Sequence, residues 1–296
     1  MEAIDSVTIN FSKSGLLVLN AILGFIMFGV ALDLRKDDFV LLIINWKSAV
    51  VGFTSQYLLL PVLTFALVYL LEPSPGIALG MFLIAACPVG NVTNLITKVS
   101  RGNVALSIGL SSSAHLMASV LTPLNFALYG NLYAPTRKLM RTIQVDEFEM
   151  FLTVLFLIGL PLILGVFVQK QFPNFANRTK VFFNKLSMIF LLLFIIAAFA
   201  SNAAVLVANL HLVYGFVILH NFVALGGGWS IAKLFRLPEA DVRAITIESG
   251  IHNSGLGLFL IFQFFDGMGS MALVAACWGV WHLISGWLLA WYWSKN

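Results

Sequence analysis

Charge is what this chain has least of. Its 17 Lys and Arg and 13 Asp and Glu make 10% of 296 residues, where a soluble domain carries roughly 25%. That deficit excludes an ordinary water-soluble fold. Cysteine is nearly missing as well: Cys87 and Cys277 both stand in apolar runs. Two such thiols supply neither a disulfide framework nor a metal-ligand spacing, so both read as small packing hydrophobes. A basic leader is absent, because Glu2 and Asp5 precede Lys13. The first apolar run, 14–32, is therefore read as a retained helix rather than a signal peptide. The net charge of +4 is scattered through loops instead of gathered on one face, which argues against a nucleic-acid partner.

What the chain has is hydrophobic length. Sixty per cent of its residues are hydrophobic, and about 20 helical residues cross a hydrocarbon core of about 30 Å. About nine spans are expected, at 14–32, 48–71, 76–100, 103–129, 148–170, 181–208, 211–234, 240–265 and 270–293. The fold class is thus an all-α polytopic membrane protein, one integral membrane domain over residues 1–296. An odd count of spans places the termini on opposite sides. Loops on the N-terminal side then hold only Lys13, Arg137, Lys138 and Arg141, and the other 13 of the 17 basic residues fall on the C-terminal side. By the excess of Lys and Arg in cytoplasmic loops, the C-terminus is cytoplasmic and the N-terminus outside, in a cell membrane. Trp287, Trp291 and Trp293 beside Lys295 fit an interfacial belt at that end.

Two spans depart from the apolar pattern in the same way. The third reads "AACPVGNVTNLITKVSRG", with Pro88 and Gly90 before a polar half; the eighth reads "VRAITIESGIHNSGLGLFLIF", with Gly250 and Gly255 around a polar cluster. Proline removes a backbone donor and glycine tolerates unwound dihedrals, so both are candidate discontinuous helices. Such a pair in corresponding parts of two halves points to a transporter of inverted-repeat type. The first repeat is expected over 14–129 with four helices and the second over 148–293 with five, a five-plus-five plan lacking its first helix.

Glu248 is the one carboxylate well inside an expected span. Its insertion costs at least about 2.5 kcal/mol, which marks it as functional. Oxygen donors that suit a hard cation stand at Thr93, Asn94, Ser107 and Ser111, the two serines four apart on one helix face. The bland alternative for "SSSAHL" at 111–116 is contact between packed helices. His115, His211, His220 and His282 read as structural or interfacial, and no cofactor is called for.

The motifs "CPVGNVTN", "RGNVALS" and "ESGIHNSGL", with Gln56 in "SQYLLLP", "VILHN" at 217–221 and "WHLISG" at 281–286, resemble the bile acid:sodium symporter family from about Leu19 to the C-terminus. The resemblance implies a panel of helices beside a core with two crossed, broken helices. It implies a first sodium site at Thr93, Asn94, Ser107, Ser111 and Glu248. A second would use Gln56, Glu248, the carbonyls of Ser249 and Ile251, and the side chain at 252. Two departures stand out: Val89 replaces a family glycine, and His252 replaces a glutamine, offering nitrogen where a hard cation takes oxygen.

The expected function is a symporter, not an enzyme, that imports an organic anion with sodium by alternating access. The anion is bile-acid-like or a small carboxylate such as pantoate or a 2-oxo acid. Its carboxylate would lie near Asn91, Val92, Asn253 and Ser254, where half-helices begin and their free N–H groups attract an anion. Na+ is the coupling ion, the bilayer the surrounding partner, and the working unit a monomer. Two rivals stay open: a cation/proton exchanger on crossed broken helices, which would usually carry an acidic pair or an Asp-Lys couple, and an intramembrane hydrolase using Glu248 and His252, for which no H-E-x-x-H or G-x-S-x-G context is present.

Overall fold

The computed structural model describes residues 5, 13–33, 36–90, 92–143, 146–201 and 203–295. With no water in hydrocarbon to satisfy backbone N–H and C=O groups, apolar segments of this length close their hydrogen bonds internally as helices. The described residues form α1 (Lys13–Asp33), α2 (Lys36–Ile44), α3 (Trp46–Leu71), α4 (Pro75–Ala86), α5 (Thr93–Val99), α6 (Val104–Leu132) and α7 (Ala134–Ile143). They continue as α8 (Glu147–Val154, extended to Gln171), α9 (Pro173–Ser201), α10 (Ala203–Leu234), α11 (Glu239–Gly250), α12 (Ser254–Phe264) and α13 (Gly269–Lys295). Five helices among them are long and apolar enough to cross a membrane: Trp46–Leu71, Val104–Leu132, Phe148–Gln171, Val207–Leu234 and Gly269–Lys295. The chain is an all-α polytopic membrane protein.

Two of the long helices contain one π turn each, Ser55–Leu59 in α3 and Leu155–Gly159 in α8. Both turns end one residue before a Leu-Pro pair, Leu60-Pro61 and Leu160-Pro161. Proline has no N–H to give and its ring crowds the carbonyl four residues back, and a widened turn relieves that contact without ending the helix.

The structure differs from the sequence-based spans in three places, the first being α2 (Lys36–Ile44) between the spans 14–32 and 48–71. The sixth helix runs over 173–201 and the seventh over 203–234, eight residues earlier at each start than the apolar runs at 181 and 211. The amphipathic opening "PNFANRTK" is helical although it is too polar to register as part of a span. The connection 130–147, expected as a loop, holds the ten-residue helix α7.

Packing sorts the helices into two groups. α1 lies against α8 and α9. In the other group α13 packs on α4 and α10, α10 on α3 and α11, and α6 on α4, α5 and α11. The groups meet where α8 touches α6 and α12 touches α1. Within the larger group a helix, a broken pair and a helix (α3, α4/α5, α6) recur in the same order as α10, α11/α12 and α13. Trp278, Phe126 and Phe259 are fully buried in the core, and Ile43, Leu70, Phe222 and Leu234 stand exposed on the periphery, as lipid-facing residues do.

Candidate functional site

The two broken pairs cross at their breaks. α4 ends at Ala86 and α5 starts at Thr93; α11 ends at Gly250 and α12 starts at Ser254. Between them Val89 and His252 form an isolated antiparallel bridge. The Gly90 N–H donates to the Ile251 carbonyl at 2.9 Å, and the Asn253 N–H donates to the Pro88 carbonyl at 2.7 Å. Each break thus satisfies backbone groups that the other break left open, which is how irregular backbone persists where water is excluded.

Pro88 and Gly90 lie in the first break as expected, and Gly90 faces the other break closely: a Cβ there would sit 3.3 Å from Ile251 Cγ2. The second break corrects the sequence reading. Gly250 is still helical, and Gly255 is the second residue of α12. Gly250 serves close approach instead of unwinding, since a Cβ on it would lie 2.2 Å from Leu225 Cδ2 of α10.

Around this crossing the first set of residues converges. Glu248, fully buried, receives a hydrogen bond from Ser107 Oγ at 2.5 Å on Oε1 and from Ser111 Oγ at 3.0 Å on each carboxylate oxygen. Ser107 Oγ is also 2.8 Å from Asn94 Oδ1, and Ser111 Oγ is 3.1 Å from Thr93 Oγ1. Thr93 Oγ1 reaches the Gly90 carbonyl at 3.1 Å. A hydroxyl carries a single hydrogen and a carboxylate or carbonyl none. Three hydroxyls therefore serve two carboxylate oxygens, an amide oxygen and a carbonyl. Lone pairs outnumber hydroxyl hydrogens in a buried pocket to which no lysine or arginine among the described residues is bonded, and a small hard cation resolves that excess.

The second set is arranged differently. Gln56 is buried with neither amide atom hydrogen-bonded. The carbonyls expected beside it face other groups: Ile251 O accepts from Gly90, and Ser249 O lies 2.9 Å from His252 Nε2. His252 Nδ1 is 2.8 Å from the Cys87 carbonyl. Whichever ring nitrogen carries hydrogen, the imidazole fills the space between these two carbonyls. Ser249 Oγ pairs with Ser55 Oγ at 2.6 Å.

Among the residues expected to meet the anion, Asn91 lies outside the described residues. Val92 is half-buried at the start of α5. Asn253 caps α12, its Oδ1 accepting from the Leu256 N–H at 3.1 Å, and Ser254 opens that helix. A cavity of about 440 Å³ lies between α1, α8 and α12, with Asn20, Glu149, Thr153, Phe156, Phe259 and Gln263 in its walls. It sits where the two groups of helices meet.

Asn221 and Ser285 stand in motifs the sequence analysis quotes without a role, and Asp241 was not singled out at all. Asn221 donates to the Gly250 carbonyl at 2.7 Å while its Oδ1 accepts from Ser285 Oγ at 2.6 Å, tying α10 and α13 to the end of α11. Asp241, buried at the start of α11, accepts from Ser48 Oγ at 2.5 Å and Asn103 Nδ2 at 2.7 Å. Its nearness to the end of a span hid it, although Asn103 in "RGN" was a visible partner.

Comparison with known proteins adds an independent line. The Sodium Bile acid symporter family profile matches residues 20–209. The uncharacterized sodium-dependent transporter YocS of Bacillus subtilis is 32% identical over 93% of this chain and 82% of its own length. The probable chloroplastic sodium/metabolite cotransporter BASS2 of Oryza sativa is 31% identical over 82% of this chain and 56% of its own. The sodium/bile acid cotransporter 5 of Rattus norvegicus is 27% identical over 87% of this chain and 58% of its own. The chain thus spans little more than half of the latter two.

Proposed function

Since the chain belongs to the sodium bile acid symporter family, we propose that it is a sodium-coupled symporter that imports an organic anion by alternating access. Membership makes it a transporter and not an enzyme. The observation that carries the coupling is the oxygen cluster at Glu248, where the sole charge is negative and the hydroxyl hydrogens are too few for the oxygens they face. Sodium bound by Thr93, Asn94, Ser107, Ser111 and Glu248 would complete it. The helix-crossing contacts are shared by both breaks, so an ion in this cluster stabilises the whole crossing.

One sodium per cycle fits the second set, because the His252 ring, with Nε2 2.9 Å from the Ser249 carbonyl, brings nitrogen to the place where a second ion would need oxygen. The substrate is a small carboxylate, its anionic end at the N-terminus of α12 by Asn253 and Ser254, with Asn91 and Val92 as the first break's proposed share of the same site. Helix N–H groups favour an anion there without a buried lysine or arginine. The crevice between α1, α8 and α12 is its entry from outside, given the cytoplasmic C-terminus that the charge distribution supports. The two inverted repeats of a single membrane domain are then 14–129 (α1–α6) and 148–293 (α8–α13), and the α1, α8 and α9 group is the panel against which the core moves.

The test is a melting experiment on the purified protein in sodium, potassium and choline chloride, with a carboxylate panel added. Stabilisation by sodium alone among the cations, increased by at least one monocarboxylate, is the expected outcome. Equal melting in all three salts would sink the coupling.

A further inference from the structure

α7, with the sequence APTRKLMRTI, has two unlike faces. Thr136 and Met140, four apart, are buried. Thr136 Oγ1 donates to the Gly130 carbonyl at 2.7 Å, and the Met140 sulfur lies 2.6 Å from where a Gly130 Cβ would be. α7 is thereby clamped to α6. Arg137, Lys138 and Arg141 are exposed, and with Ala134 and Thr142 they line a concavity of about 370 Å³. None of the three takes part in an ion pair among the described residues.

Position says what meets them. α6 is 29 residues long, about 43 Å at 1.5 Å per residue, enough to cross the bilayer. α7 follows it directly and precedes α8, so it lies at a bilayer surface. Leu124, Leu128 and Leu132, spaced four apart along the last turns of α6, are 59%, 49% and 56% exposed. This apolar stripe ends two residues before Ala134, which lines the basic concavity. Arg137, Lys138 and Arg141 are also three of the four basic residues on their side of the membrane. That side is depleted in lysine and arginine by the topology rule, so their clustering has a local cause.

We propose that α7 binds the headgroup phosphate of an anionic phospholipid, with an acyl chain lying on Leu124, Leu128 and Leu132. A soluble anion would match the charges but leave the stripe unused; a lipid matches both. Each basic residue near a membrane surface contributes about fivefold to the binding of anionic lipid, so three give about a hundredfold.

The experiment uses the full chain, purified in detergent and stripped of lipid. Phosphatidylglycerol or phosphatidylcholine is titrated in, and retained lipid is counted by native mass spectrometry beside the melting temperature. The expected result is a preference for phosphatidylglycerol of about a hundredfold. It should fall to the phosphatidylcholine level in the combined Arg137→Gln, Lys138→Gln, Arg141→Gln variant, with the sodium-induced melting shift intact. Each single substitution, on an exposed side chain, should cost about fivefold, which covers the event that the triple variant fails to fold. Equal binding of the two lipids by the unmodified protein would overturn the proposal. So would a preference that survives the substitutions, or displacement of phosphatidylglycerol by inorganic phosphate at equal concentration, which would mean that the site reads a free anion.

Discussion

Replacing Glu248 with glutamine separates the cation site from the fold around it. The carboxylate is the only charge in a cluster whose other members are hydroxyls, an amide oxygen and a carbonyl. Removing it from a buried ion contact should cost about 3 kcal/mol or more, over a hundredfold in sodium affinity. With sodium at a hundred times its dissociation constant, binding stabilises the unmodified protein by about 2.7 kcal/mol, or roughly 5–10 °C for a chain of this size. At the same concentration the variant would gain only about 0.4 kcal/mol, near 1 °C. Without sodium the direction reverses. Glutamine brings N–H donors into a cluster short of hydrogens, and Asn94 Oδ1 and the serine oxygens can accept them. The sodium-free variant should therefore melt at or above the unmodified protein. Differential scanning fluorimetry in sodium and in choline chloride reads both quantities. A variant that keeps the full sodium shift, or one that melts lower than the unmodified protein in choline, would refute the reasoning.

Ser107→Ala removes one neutral ligand and leaves the charge, so sodium affinity should fall by roughly tenfold, within the range of a hydrogen bond to a charged group, as titrated by the same melting shift. Wild-type uptake of a monoanion with one sodium should ignore a potassium diffusion potential, while His252→Gln, which brings oxygen in place of the ring nitrogen, should make uptake voltage-dependent by up to about 50-fold per 100 mV; voltage-dependent uptake by the unmodified protein would count against a single sodium. Gly250→Val places a side chain in the position of Leu225 Cδ2, and overpacking of about 1–3 kcal/mol should lower the Tm by several degrees. A cysteine at Arg137 should react with an impermeant maleimide in intact cells and one at exposed Lys98 only after lysis, with the reverse pattern inverting the proposed topology.

Much of the fold was legible because hydrocarbon makes a strict demand: a run of apolar residues long enough to span must be helical, and polar residues inside it need a reason. That rule exposed Glu248, Thr93, Asn94, Ser107 and Ser111, which the fold does bring together. It was blind where helices lie outside the apolar runs, at α2, at α7 and in the polar opening of α9. The glycines of the second break misled for a different reason. Glycine signals either an unusual backbone or a close neighbour, and at Gly250 the neighbour is Leu225 of another helix, a contact that local periodicity does not report. The exchange of backbone hydrogen bonds between Pro88, Gly90, Ile251 and Asn253 was equally out of reach, since it exists only once two segments far apart in the chain cross. His252 could be noticed as a departure from a pattern, but that its ring lies between two carbonyls, with one N–H to give, required the coordinates.

The most direct measurement is uptake into proteoliposomes of a labelled monocarboxylate that raises the melting temperature, driven in turn by an inward sodium gradient, an inward potassium gradient and a proton gradient. Sodium-coupled symport through Glu248 requires accumulation above equilibrium with the sodium gradient alone, and its loss in Glu248→Gln. Accumulation driven by protons or potassium, or sodium-driven accumulation that survives the substitution, would contradict it.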